Sequence, residues 1–468
     1  MIDDRLKEAC GVFGVFAKKP YNVVYDVQLA LFALQHRGEE SAGLAISSND
    51  RIISYRNMGT VAQVMPDHIL KDFPKCSIGI GHVRYSTTGS SNAVNAQPLV
   101  FTGKAGEMAL GHNGNIYNSD EIRKRLIGKK VLFQTTIDSE VIAALINHNY
   151  KGDIAEAINI SARELKGSYA LVMMDKARLI AVRDPSGIRP LVMGEKADGA
   201  VVFASESPAL DVIGAKFIRD INPGEIVIVN EDGVKSYIIE GEYKKGFCSF
   251  EYVYFARNDS IMDNLAVYDA RMKAGEILAR NHSVAADIVA PVPDTATVAA
   301  SSYSFHTGIP YVEVFSKNRY VGRTFIQPEQ TDRENMVRIK LSAIKSNITG
   351  RRIILIDDSI VRGTTSKKII ALLREAGATE VHLRITSPPV KHACYFGIDI
   401  QNESELIGAN HSEKQIAAIL GCDSVEYLTV EELQLMCSKA NLPICTGCFS
   451  GDYPLDVNTK QIDKLRME

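Results

Sequence analysis

Arg352-Ile353-Ile354-Leu355-Ile356-Asp357-Asp358-Ser359-Ile360-Val361-Arg362-Gly363-Thr364-Thr365-Ser366 is the stretch from which the architecture of the second half of this chain is read. The run Ile353 to Ile356 is short, apolar and rich in β-branched residues, so it reads as a buried strand. Two aspartates end it, a turn containing Gly363 follows, and helical spacing runs from about Ser366 to Glu375 with Gly377 as a cap. In open parallel sheets ligands bind beyond the carboxyl ends of the strands. Successive backbone N–H groups and a helix N-terminus beyond such an end make an anion cradle. The stretch is not the phosphate loop that ends in Gly-Lys-Ser/Thr. Taken by itself it also describes a plain strand-to-helix turn with two solvated aspartates.

The flanking sequence extends the pattern. Asp287-Ile288-Val289-Ala290 is a strand ending at Pro291-Val292-Pro293-Asp294-Thr295-Ala296, and Glu380 to Ile385 is the next strand. Strands alternating with helices point to a mostly parallel α/β sheet. The tail from about Glu403 is predicted to be helical, and Lys317 to Phe325 is a basic loop.

Together these segments closely resemble type I phosphoribosyltransferases. The resemblance implies a pyrophosphate loop containing Asp294 and Thr295, with Thr295 close to Mg²⁺, and Asp357 and Asp358 on the ribose hydroxyls and that ion. It implies Ser359 beside them, Arg362, Gly363, Thr364 and Thr365 on the 5-phosphate, and a mobile loop carrying Lys317, Arg319 and Arg323. Closure of such a loop would exclude water from an electrophilic sugar carbon.

The first half is patterned differently. Gly-punctuated apolar runs at Ser77–Val83, Met108–Gly111 and Ser168–Met174 read as strands, and helical spacing appears at Tyr25–Gln35, Ser139–Asn147 and Ile154–Leu165. Strands outnumber helices and do not alternate strictly with them, which predicts layered sheets covered by helices. A charged stretch, Ile238 to Lys245, marks the change of pattern. The expected division is residues 10–235, 236–402 and a helical extension over 403–468.

Within that half, Ala9-Cys10-Gly11, His36-Arg37-Gly38, Gly81-His82-Val83-Arg84-Tyr85, Gly111-His112-Asn113-Gly114 and Asp138-Ser139-Glu140 occur in that order. Order and spacing resemble the class II glutamine amidotransferase domain, an N-terminal-nucleophile hydrolase with an αββα sandwich. The resemblance implies that residues 1–9 are a leader whose removal makes Cys10 the first residue. A free α-amine, with a pKa near 8, then serves as base for its own thiol. It further implies an oxyanion hole from the Asn113 amide and the Gly114 N–H. Arg84 would grip the glutamine carboxylate and Asp138 its ammonium, with Arg37 and Tyr85 in support.

Composition narrows the setting. At 468 residues the chain needs two or three domains. A net charge of −3 makes no case for nucleic-acid or membrane partners, and no apolar run approaches the roughly 20 residues of a membrane span. With eight cysteines and no hydrophobic N-terminal stretch, reduced thiols and a cytoplasmic setting are expected. Cys445-Thr446-Gly447-Cys448 puts two thiols within reach of one metal centre, whereas Cys248 and Cys394 stand alone. Spacing leaves zinc and an iron–sulfur cluster both open, and Cys76, Cys422 and Cys437 read as buried filler.

Both halves in one chain resemble the amidophosphoribosyltransferase family, a pentosyltransferase family acting on glutamine and phosphoribosyl pyrophosphate. That resemblance implies a [4Fe–4S] cluster on Cys248, Cys394, Cys445 and Cys448, one Mg²⁺, feedback by purine nucleotides, a homotetramer, and ammonia passed between two sites. A sugar-phosphate aminotransferase would share the first half only, and the Asp357 to Thr365 stretch speaks against it. A regulator that binds phosphoribosyl pyrophosphate without catalysis would need neither Cys10 nor Asn113-Gly114.

Overall fold

The computed structural model describes residues 10–85, 92–318, 341–400 and 402–457. Thirteen strands of the first half form two antiparallel sheets, one of seven strands and one of six. In the larger sheet Gly11–Tyr21 lies between Val201–Ala204 and Cys76–Arg84. In the smaller, Gly106–Ile116 lies between Leu99–Gly103 and Gly167–Met174. Their inner faces share one core, Val12, Phe16 and Ile80 from the first meeting Ala109, Val172 and Val227 from the second. The helix Val23–Ala33 covers the outer face of one sheet; Asp138–Asn149 and Ile154–Ala162 cover the other. This is the αββα arrangement expected. The glycines that punctuate the strands let layers approach: a Cβ on Gly81 would stand 2.5 Å from Val27 Cγ1 on the covering helix.

The second half carries a four-stranded sheet in the order Ile288–Pro291, Arg352–Asp357, Glu380–Ile385, Ser424–Tyr427, with every neighbouring pair parallel. Alternate residues of the second strand enter different cores. Ile354 and Ile356 pack with the helices Val267–Asn281 and Thr297–Thr307, and Ile353 and Leu355 with Thr364–Glu375 and Glu413–Leu420. Both faces are covered, as a parallel sheet requires.

Two expectations need correction. The tail is not a helical appendage: Ser424–Tyr427 is the sheet's fourth strand, and Ile444–Cys445 pairs in parallel with Phe247–Cys248. Both strands are too short to show a period among helices. The expected boundary at 235/236 falls inside Gly233–Ile238, the edge strand of the six-stranded sheet, so the first half runs to Ile238.

The seam between the halves is buried and charged. Arg183 meets Asp263, Arg37 and Arg189 meet Glu251, and the Ser260 hydroxyl donates to Glu206 at 2.6 Å.

Candidate active sites

Cys10 sits half-buried just before the strand Gly11–Tyr21. Gly11 pairs with Val83, which brings Cys10 beside the end of Cys76–Arg84, and its thiol donates to the Tyr85 carbonyl at 3.6 Å. Arg84 is buried, with Nη1 3.5 Å from Glu40 Oε1. Arg37 holds the backbone of Cys10: its Nε–H donates to the Cys10 carbonyl at 3.2 Å. Its Nη1 and Nη2 are bound by Glu206 and Glu251, so the guanidinium faces the seam and the Cys10 backbone. Two buried carboxylates claim its charge, which gives Arg37 a supporting place behind Cys10.

Asn113 and Gly114 lie near the end of Gly106–Ile116, and Asp138 begins the helix Asp138–Asn149. The Ile116 N–H donates to Asp138 Oδ2 at 2.9 Å, tying the two elements together. Among the described residues the buried Asn113 Nδ2 has no hydrogen-bond partner. An unpaired buried donor costs about 1–3 kcal/mol, which an acceptor on a bound ligand would recover. Gly114 has φ +150°, and a Cβ there would stand 2.0 Å from the Ser168 carbonyl oxygen, so only glycine fits.

A polar layer that carried no assigned role in the sequence supports this strand. The His112 N–H donates to Gln97 Oε1 at 2.8 Å, its ring Nδ1 lies 3.0 Å from Ser139 Oγ, and His82 Nε2 lies 2.9 Å from the His112 carbonyl. Burial pushes the His82 pKa down to about 3, so its imidazole is neutral and acts as a spacer rather than a charge.

In the second half Asp357 and Asp358 stand, mostly buried, at the carboxyl end of Arg352–Asp357. The Thr295 hydroxyl donates to Asp358 Oδ2 at 2.5 Å, and the Ser359 hydroxyl to Asp358 Oδ1 at 2.8 Å. Gly363, with φ +82°, turns the chain into Thr364–Glu375, a helix with no acidic residue in its first turn, which leaves that end open to an anion. It starts two residues earlier than the spacing predicts. Lys317 Nζ pairs with Asp294, which puts a cation beside the pyrophosphate-type loop. Arg362 Nε donates to Glu405 at 2.7 Å. Residues 1–9, Arg319 and Arg323 lie outside the described residues. Two carboxylates and a hydroxyl form a hard oxygen set of the kind Mg²⁺ prefers.

Cys248, Cys394, Cys445 and Cys448 line one cavity, closed by apolar side chains including Phe250, Phe396, Ile398 and Tyr453. Cys248 and Cys445 are register partners on neighbouring strands. Burial pushes the Cys248 thiol up to about 12 and holds Cys445 and Cys448 well above the ordinary range, and neighbouring thiols add to each rise. Three thiols that resist ionising, with Cys394 lining the same cavity, are a donor set that a cationic centre would satisfy. Among the described residues no group of three or more His, Cys, Asp or Glu is arranged to hold a metal ion. Cys76, Cys422 and Cys437 are buried in the cores.

Three comparisons bear on these sites. A family model described as a glutamine amidotransferase domain matches residues 82–212. The amidophosphoribosyltransferase of Methanocaldococcus jannaschii is 43% identical over 470 residues, 97% of this chain and 99% of that one. That of Bacillus subtilis is 42% identical, covering 97% and 95%. A solved structure of the glutamine phosphoribosylpyrophosphate amidotransferase from B. subtilis, complexed with ADP and GMP, superposes with a TM-score of 0.89 at 41% identity, covering 96% of this chain and 98% of that one.

Proposed function

This chain belongs to the amidophosphoribosyltransferase family and is an enzyme of purine biosynthesis that moves nitrogen from glutamine to phosphoribosyl pyrophosphate; from that premise we propose how its residues divide the work. Cys10 attacks the glutamine carboxamide, with its own α-amine as base once residues 1–9 are removed. Asn113 Nδ2 and the Gly114 N–H receive the oxyanion, a donor pair worth a few kcal/mol each in the transition state. Arg84 and Asp138 hold the two ends of glutamine. Collapse of the adduct releases ammonia, and water then frees glutamate from the thioester.

In the second half Asp357, Asp358 and Thr295 would hold Mg²⁺ with the ribose and pyrophosphate oxygens, where the ion would offset charge building on the leaving pyrophosphate. Ser359, Arg362 and the backbone from Gly363 to Thr365 at the helix start bind the 5-phosphate, and Lys317 the pyrophosphate. Ammonia attacks the sugar C1 as pyrophosphate departs, giving 5-phosphoribosylamine. Passage between the sites without loss to water calls for an enclosed route across the seam.

Cys248, Cys394, Cys445 and Cys448 would hold a [4Fe–4S] cluster. A polynuclear centre suits thiols spread around a cavity better than one zinc ion, whose bonds to sulfur are about 2.3 Å. Its part is structural, since neither half-reaction is a redox step. Free thiols suit a reducing cytoplasm. The B. subtilis relative was solved with ADP and GMP, which supports purine nucleotides as feedback ligands here, and a homotetramer is the assembly to test for.

The observation that carries the glutaminase assignment is the buried Asn113 Nδ2 beside Gly114, a donor with no hydrogen-bond partner among the described residues. The test is Cys10→Ala. It should abolish glutamine-dependent synthesis of phosphoribosylamine and leave ammonia-dependent synthesis in place. Retention of glutamine use would refute the assignment.

A further inference from the structure

We propose that the segments beginning at Cys248 and Cys394 position the glutaminase site across the seam, with Glu251 and Gly397 as the positioning residues. This rests on the assignment of Cys10 and Asn113-Gly114 made above, and goes beyond it by tying that site to the cysteine cage.

Glu251 lies three residues after Cys248, at the start of a single π-helical turn, Glu251–Phe255, and is fully buried. It accepts from Arg37 Nη2 at 2.7 Å and Nη1 at 3.0 Å. The same guanidinium holds the Cys10 carbonyl through Nε. One side chain therefore stands between the nucleophile's backbone and a turn rooted at a cage cysteine.

The second segment reaches the oxyanion strand. The Tyr395 carbonyl accepts from Asn115 Nδ2 at 2.9 Å, and the Phe396 carbonyl accepts from Ser168 Oγ and from Arg189 Nη2, each at 2.7 Å. Asn115 and Ser168 are register partners next to Gly114, and the Ser168 carbonyl is the atom a Gly114 side chain would strike. Gly397, with φ +100°, completes the contact: a Cβ there would stand 2.5 Å from Arg189 Nη2 and 3.4 Å from the Gly114 carbonyl carbon. Arg189 closes the circuit, since its Nη1 lies 3.4 Å from Glu251 Oε1.

Both poles of the glutaminase site thus end on the other half of the chain, at segments anchored by Cys248 and Cys394. Small displacements of a nucleophile or an oxyanion donor cost large rate factors.

The experiment uses full-length Glu251→Gln and Gly397→Ala. It follows alkylation of Cys10 by a diazo-ketone analogue of glutamine, together with both syntheses and iron per chain. Alkylation and glutamine-dependent kcat should fall roughly tenfold or more, ammonia-dependent synthesis should stay within about twofold, and iron should be unchanged. Unchanged alkylation in both variants overturns the proposal. Should either variant fail to fold, the wild-type chain stripped of iron by a chelator decides. Alkylation should then be lost no later than ammonia-dependent synthesis, and alkylation that outlasts that synthesis overturns the proposal. Cys10→Ala separates the two readings. Alkylation persisting in Cys10→Ala refutes the nucleophile itself, whereas alkylation confined to Cys10 with both variants indifferent refutes only the positioning role.

Discussion

Arg183 and Asp263 meet across the seam as a bidentate pair, Nη1 3.1 Å from Oδ1 and Nη2 2.8 Å from Oδ2, with both side chains almost wholly buried. Arg183 also donates to the carbonyls of Gly187, Arg189 and Ile221, so its charge cannot turn to water if the carboxylate is lost. Asp263→Ala should therefore cost about 3–5 kcal/mol of stability, read by denaturant unfolding. A loss below about 1 kcal/mol would mean that the seam relaxes around the orphaned guanidinium.

Asp220 stands close to that pair. Burial, and then the Asp263 charge, raise its carboxyl to about 6. A folded pKa above the unfolded value near 3.9 means the folded state binds the proton more tightly. The associated stability is present below about pH 4 and is lost as pH rises through 6. Asp220→Asn should gain roughly 1–2 kcal/mol at pH 7 and nothing at pH 4, in paired thermal melts. An equal gain at both values would rule out titration as the cause.

Asn113→Ala removes the proposed side-chain oxyanion donor and leaves Gly114 in the sequence. Glutamine hydrolysis should fall about 10²–10³ in kcat with KM little changed, because the contact forms only in the transition state. Gly114→Ala should be at least as damaging, since its Cβ meets backbone. Steady-state glutaminase assays check both.

Thr295→Val deletes the hydroxyl that donates to Asp358 while keeping the side-chain shape. Ammonia-dependent synthesis should then need more Mg²⁺ for half-maximal rate. Asp358→Asn should remove transfer from either nitrogen source. A Mg²⁺ titration unmoved by Thr295→Val would take that residue out of the metal site.

Cys394→Ser should lower iron per chain, bleach the visible absorbance of anaerobically purified protein, and expose the tail to protease. One centre joining four distant cysteines closes long loops, which is where chain entropy favours a cross-link most. Wild-type protein that is colourless and contains zinc would exclude the cluster.

The chemistry-bearing segments were legible because they are local. Asp357-Asp358 through Thr365 packs strand end, turn and helix start into one continuous stretch, and Asn113-Gly114 carries its backbone demand in one glycine. Glu206, Glu251, Arg189 and Asp263 gave no such sign. Each is a single charge in an ordinary setting, and Arg37 and Glu251 are 214 residues apart. The strand Ser424–Tyr427 was missed for a related reason: four residues between helices show no period, and only the free edge of the neighbouring strand makes them a strand.

By itself, then, the sequence determined the two architectures, since backbone propensity and short-range spacing act within a few residues, and its resemblance to a known family singled out Cys10 and the Asp357-Asp358 pair as candidate site residues. What only the tertiary structure decided is which buried charges neutralise each other, which strands the segments Ser424–Tyr427 and Ile444–Cys445 pair with, and that four cysteines share one cavity. Those outcomes depend on desolvation, and a charge or thiol is desolvated by whatever the fold packs against it, at any separation along the chain.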